Sequence, residues 1–187
     1  MTKLRGHKRR VNSLAVHSSG KMALSCDQDR NLCMWNLLKG RVSYKTRLDV
    51  AFEELLFSQM DNKYVGRTRS SIIVRDLEDP EFNKKIDFGG QGQGGVTSFC
   101  LGAEYEVVLG SGSGQVCTFD LRSCKKSIEL DAHTKRVKGV AVLKGHRTVS
   151  TSSEGDLKMW DSRNAKEPLA VKQLGVRTTC LAACNLL

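Results

Sequence analysis

Two sets of residues in this sequence have the types that acyl-transfer chemistry uses. His133, Ser152 and Glu154 bring an imidazole, a hydroxyl and a carboxylate within 21 residues, and Trp160 follows them. Near the N-terminus His7, Asp27 and Asp29 precede Trp35 in the same order, with a second Asp where the hydroxyl would stand. A histidine oriented by a carboxylate can take a proton from a hydroxyl and make it a nucleophile. The spacing argues against that use. His7 lies 28 residues before Trp35 and His133 lies 27 before Trp160, so the two sets are copies of one long pattern that ends in an indole. A buried indole N–H requires an acceptor, and a hydroxyl and a histidine are suitable partners for it. No catalytic residue is assigned.

Other candidate chemistries fail on spacing. Residues 110–114 read GSGSG, but a phosphate loop requires a Lys-Ser/Thr ending and a dinucleotide loop requires a following helix, whereas a strand-like run, 115–120, follows here. The seven cysteines (Cys26, Cys33, Cys100, Cys117, Cys124, Cys180 and Cys184) form no Cys-x-x-Cys pair and read as reduced thiols used as small apolar residues. His17 and His146 have no carboxylates at ligand spacing, so no metal, cofactor or small-molecule substrate is expected. Phe57, Tyr64, Phe99 and Phe119 fall at strand positions, where core packing is the reading. The cations differ. Lys8, Arg9 and Arg10 follow His7, while Lys135, Arg136 and Lys138 follow His133, in a chain of net charge +10 and pI about 9.4. Such trios attract an acidic partner, either RNA phosphates or an acidic protein face; a merely solvated rim is the competing reading.

The elements that must position these residues are short. Apolar runs at 137–143, 148–152 and 156–160 are separated by turn signals at 144–145 and 153–155, and the same grammar recurs at 11–17, 22–25 and 31–35. The third runs end at Asn36, Asp76, Asp120 and Asp161, at intervals of 40, 44 and 41 residues. Outer strands are predicted at 41–47, 84–88, 125–130 and 169–174, the second repeat at 52–57, 63–67 and 70–75, and the third at 96–101, 106–110 and 115–120. Residues 2–5 read as the trace of an earlier strand, 89–95 as a glycine-rich connector, and 176–184 as the start of another inner strand. At 40 % apolar and 27 % charged residues the chain is globular; no apolar run is long enough for a membrane span, and the first residues lack a secretory apolar core.

A period near 40 with Gly-His at the start and Trp-Asp at the end resembles the WD40 family of β-propellers. The resemblance implies an all-β chain with repeats at about 6–47, 48–88, 96–130 and 132–174 and a further one starting at 176. It thus implies about four blades, an incomplete ring of a seven-bladed type. It also implies a buried structural relay per matching blade, in which the loop His bonds a strand hydroxyl and a turn carboxylate, and the hydroxyl receives the indole N–H. On that pattern the relays are His7, Asp27, Asp29 and Trp35, then His133, Ser152, Glu154 and Trp160. Asp27 and Glu154 depart from the family's Ser/Thr and Asp.

Ser19–Ser25, Trp35-Asn36-Leu37 with Gly40-Arg41, Arg136-Val137-Lys138 and Lys158-Met159-Trp160 carry a narrower likeness, as does Arg177–Leu181. These stretches resemble the p21-activated protein kinase-interacting protein 1 family. That likeness implies a non-enzymatic nucleolar scaffold in large ribosomal subunit (60S) assembly and rRNA processing, touching pre-60S factors and pre-rRNA. The alternatives it carries are a negative regulator that binds a p21-activated protein kinase, and a generic WD40 adaptor.

Overall fold

The computed structural model describes residues 4–58, 62–88, 94–102, 105–163 and 166–183. Their regular structure is entirely β, in four sheets of four strands, each strand beside its neighbour in sequence. The first sheet holds β1 (Val11–Val16), β2 (Met22–Asp27), β3 (Asn31–Asn36) and β4 (Arg41–Arg47); the second holds β5 (Glu54–Phe57), β6 (Lys63–Arg67), β7 (Ser71–Asp76) and β8 (Asn83–Asp87). The third is built of β9 (Val96–Leu101), β10 (Glu106–Ser111), β11 (Val116–Asp120) and β12 (Lys125–Leu130), and the fourth of β13 (Val137–Leu143), β14 (Arg147–Ser152), β15 (Asp156–Asp161) and β16 (Ala170–Gln173). The third strands end at Asn36, Asp76, Asp120 and Asp161, the positions on which the sequence period was aligned.

Burial follows the position of a strand in its sheet. In β2 every residue from Ala23 to Asp27 is buried, because a middle strand is covered on both faces. At the edge, β4 half-buries only Val42 and Thr46. The tight turns are set by side chains that take over backbone donors: Asp27 Oδ1 accepts the backbone N–H of Asp29 and of Asn31, each at 2.9 Å, between β2 and β3. The glycine of the GSGSG turn that matters most is Gly114. Its φ is +99°, and a Cβ there would lie 2.0 Å from the carbonyl oxygen of His133, which donates its own N–H to Gly114 O at 3.0 Å.

The chain divides into two compact units, Met1–Lys85 and Ile86–Leu187. In the first, Leu24, Phe52 and Leu55 are almost wholly excluded from solvent, and β1 is tied to β5 and to the segment leading into it by Leu55 N donating to Ser13 Oγ (3.0 Å) and Asn12 Nδ2 donating to Phe52 O (2.9 Å). In the second, Val108, Val116, Val137 and Trp160 share a core, and Thr97 Oγ1 on β9 donates to Val137 O on β13 at 2.7 Å.

Two local expectations are corrected. β5 begins at Glu54, not at residue 52: Glu53 and Glu54 are drawn to Arg67, at 2.7 and 3.1 Å, and Phe52 turns inward beneath Gly66, where a Cβ would lie 2.5 Å from its ring. Residues 176–183 form no strand. Their polar groups go to the fourth sheet piecemeal, with Thr178 Oγ1 bonded to Ser152 O and 3.0 Å from Thr151 Oγ1, and a ladder cannot form without a paired strand. Residues 2–3, 89–93 and 184 of the remaining expectations lie outside the described residues.

Candidate functional site

The loop before β1 carries His7 onto the first sheet. Its Nδ1 lies 2.8 Å from Asp27 Oδ2 and its Nε2 lies 2.6 Å from Ser25 Oγ, while Trp35 Nε1 donates to Ser25 Oγ at 2.7 Å. Strand register explains the choice of hydroxyl. β2 and β3 pair Ala23 with Trp35 and Ser25 with Cys33, so Ser25 is the diagonal neighbour of the indole on one face. The fourth sheet repeats this. His133 Nδ1 is 2.6 Å from Asp156 Oδ2, His133 Nε2 is 2.8 Å from Ser150 Oγ, and Trp160 Nε1 donates to Ser150 Oγ at 3.0 Å. Thr148 pairs with Trp160 and Ser150 with Lys158, the same diagonal.

The expected relay sets are therefore corrected by two residues. Ser25 and Ser150, not Asp27 and Ser152, are the hydroxyls; Asp27 and Asp156, not Asp29 and Glu154, are the carboxylates. Ser152 donates its hydroxyl to Asp156 Oδ1 instead, and accepts the backbone N–H of Glu154 at 3.1 Å. Both relays have a serine hydroxyl and an Asp, so neither departs from the family pattern at these positions. The missed signal was the shared spacing of ten residues between each serine and its tryptophan.

One proton on each Nδ1 completes the network. A neutral imidazole donates from Nδ1 to the carboxylate and accepts at Nε2 from the serine O–H, leaving the serine oxygen free to accept the indole N–H. Burial pushes His133 below the ordinary histidine value, against the pull of Asp156, so the ring is neutral at neutral pH. Burial also raises Asp27, but the hydrogen bonds from the backbone of Asn31, from His7 and from the side chain of Asn31 outweigh it and hold the carboxyl low. Asp156 behaves likewise: burial raises it, and Ser152 and His133 bring it below the usual range. Ser25 and Ser150 are 2 % and 0 % exposed and already hold an indole N–H, so neither is presented to a substrate. Burial pushes Cys26 and Cys117 up to about 11, which keeps these thiols protonated in the core. Among the described residues no cluster of three or more His, Cys, Asp or Glu is placed to hold a metal ion.

What the relays present is basic. Lys8, Arg9 and Arg10 are exposed beside the first, and Lys135 and Arg136 beside the fourth sheet's; Lys138 is half-buried on β13. The third cation of the first loop and the second of the other give their backbone carbonyls to the neighbouring turn: Gln28 N donates to Arg10 O and Ser153 N to Arg136 O, each at 3.0 Å. Each basic loop is thus fastened twice, through its histidine and through its backbone. Arg9 approaches exposed Asp29 at 3.4 Å, whereas Lys8, Arg10, Lys135 and Arg136 have no ion-pair partner among the described residues. Glu154 is exposed, and its carboxylate meets Thr134 at 3.4 Å.

Repeated four-stranded meanders, two of them carrying a His–Ser–Asp–Trp relay, are the architecture of a β-propeller. The family model "WD domain, G-beta repeat" matches residues 1–36 and 123–161. The chain is similar to "p21-activated protein kinase-interacting protein 1-like" of Danio rerio, with 29 % identity over 95 % of this chain and 49 % of that protein. It is also similar to "Shk1 kinase-binding protein 15" of Schizosaccharomyces pombe, with 28 % identity over 81 % of this chain and 42 % of that one. The chain spans about half the length of the curated relatives it matches. Among solved structures, the β-propeller domain of Cps50 (Swd1) from Myceliophteria thermophila superposes with a TM-score of 0.70 over 83 % of this chain and 52 % of that one, at 14 % identity, a likeness of fold alone.

Proposed function

We propose that this WD40 interaction scaffold is non-enzymatic and works in the nucleolus on large ribosomal subunit assembly, its fastened basic loops meeting pre-rRNA phosphates and acidic faces of pre-60S factors. The observation that carries this reading is the cation cluster fastened beside each relay, with four of the side chains free of ion pairs among the described residues. Preorganised cations bind phosphate without paying to order a loop. Reversing Lys8, Arg9, Arg10, Lys135 and Arg136 to Glu should abolish binding to rRNA, and the parent's affinity should fall linearly in log[salt]. RNA binding that survives the five reversals would remove the assignment.

A second reading is favoured by the relatives' printed names: binding of a p21-activated protein kinase, with restraint of that kinase as the consequence the family resemblance implies. Affinity purification from nuclear extract with and without RNase separates the two. Recovery of pre-60S factors supports assembly, and recovery of a kinase independent of RNase supports the regulator.

A further inference from the structure

A second feature, away from the relays, has the form of a binding site. In the first unit a cavity of about 360 Å³ opens beside the outer strand β4. Leu24, Leu32 and Leu48 form its apolar floor, and Tyr44, Arg47 and Arg75 stand in its wall. The volume is at the small end of ligand sites, about 300–1,000 Å³, which suits one bulky side chain better than a cofactor.

Its charge is unbalanced. Arg75 gives Nη2 to Asp49 at 2.7 Å, but its Nε is buried and has no acceptor, and a buried unpaired donor requires an explanation. Arg47 is exposed and has no ion-pair partner among the described residues. Asp76, also in the wall, is engaged with Lys63 at 3.7 Å. Tyr64 completes the wall; burial pushes its phenol up to about 12, so it remains a neutral hydroxyl.

The neighbouring strand supplies the rest. β4 ends the order β1-β2-β3-β4 and among the described residues pairs only with β3, so there it is an edge with one side of its ladder unfilled. Its sequence, RVSYKTR, has three cations and no acid. An open ladder beside an apolar cavity is the arrangement by which sheets capture extended peptides, with backbone bonds giving affinity and the pocket giving specificity. Cations along the edge repel a second copy of the same strand and favour an acidic one.

We propose that β4 and the adjoining cavity bind an extended acidic peptide, one bulky apolar side chain entering over Leu24, Leu32 and Leu48 while a neighbouring carboxylate meets Arg47 and Arg75. This site does not depend on the basic loops or on the ribosomal reading. The test uses the full chain and fluorescein-labelled extended peptides in which a central Leu, Phe or Tyr is flanked by Glu and Asp. Control peptides replace the acids with Gln and Asn, or the central residue with Ala. Fluorescence anisotropy should show saturable binding of the acidic apolar peptides, weakened at least about tenfold in either control. Arg75→Met and Tyr44→Ala should weaken it similarly. Should Arg75→Met unfold the chain, Arg47→Glu on an exposed side chain decides the matter and should abolish binding. Reversal of Lys8 and Arg9 should leave peptide affinity unchanged while reducing RNA affinity. No binding of any panel peptide, equal binding of acidic and neutral peptides, full affinity in Arg47→Glu, or loss through the Lys8 and Arg9 reversal would each overturn the proposal.

Discussion

The first and fourth sheets build the same relay from different slots. Matched on their serines, each ten residues before its tryptophan, Asp27 stands opposite Ser152 and Asn31 opposite Asp156. In the first sheet the carboxylate that orients the histidine closes β2, and the amide that steadies it opens β3 at 2.9 Å. In the fourth the hydroxyl that steadies the carboxylate closes β14, and the carboxylate opens β15. Acceptor and donor have exchanged strands while histidine, serine and indole keep their places. The requirement is thus for one carboxylate and one neutral donor across a turn, within reach of Nδ1. Either strand end can supply the charge, because the hydrogen bond is satisfied by position and not by connectivity.

The largest effect that tests this comparison is loss of either carboxylate. Asp27 accepts from four groups, His7, the backbone of Asp29, and both the backbone and side chain of Asn31, whereas Asp156 accepts from His133 and Ser152. Asp27→Ala should cost about 3 kcal/mol and Asp156→Ala about 2 kcal/mol in urea unfolding, since stranded buried donors carry their desolvation cost. A costlier Asp156→Ala would show that the turn bonds of Asp27 add little.

The next is an exchange. Asp27→Ser alone removes the first relay's carboxylate; Asp27→Ser with Asn31→Asp gives that sheet the fourth sheet's arrangement. The double variant should be more stable than the single one by about 1 to 2 kcal/mol, a coupling expected only of residues that share one network. Additive losses in the cycle would mean that the two slots are not equivalent.

Acidity sharpens the comparison further. His133 titrates below its ordinary 6.5, so between its lowered value and 6.5 the unfolded chain holds a proton that the folded chain lacks. The neutral ring's contribution is whole above 6.5 and is lost as pH falls below it. Asp27 and Asp156 lie below 3.8, so what they contribute is present above 3.8 and disappears only as pH falls through their folded values. The melting temperature should therefore fall as the pH is lowered from about 7.5 through 6.5, and His133→Gln should flatten that fall. Equal slopes in parent and variant would move the titration elsewhere.

Much of this was legible in the sequence, for a physical reason that also explains the miss. Strand and turn identity is local: Gly, Asp and Ser at turns and apolar runs between them place the third strands to within a residue. The histidines, tryptophans and cation trios stand out by type. The hydroxyls do not, because serines and aspartates crowd both turns, and proximity to a turn does not reveal register. Register decides. Asp27 and Ser152 lie four residues along their strands from the partners of Trp35 and Trp160, Ala23 and Thr148, or about 13 Å at strand rise, beyond an indole N–H. The Arg67 pairs that draw Glu53 and Glu54 out of the apolar pattern were illegible for another reason, since they form between strands and leave no periodic trace.

The smallest expected effects fall on the two acids that the sequence placed in the relays and the structure places outside them. Asp29 shares a loose, exposed pair with Arg9, and Glu154 touches Thr134 at the edge of hydrogen-bond range. Solvent screens such contacts, and the side chains lose freedom in making them, so little net stability results. Asp29→Ala and Glu154→Ala should each unfold within about 0.5 kcal/mol of the parent. Their charge should matter more than their contacts: each is an acid beside a basic loop, so removing it raises the local positive potential. On the rRNA-binding reading proposed above, both variants should bind RNA slightly more tightly at low salt, with the gain fading as salt rises. A stability loss approaching that of Asp27→Ala would restore Asp29 to the relay and break the two-residue shift on which the likeness of the first and fourth sheets rests.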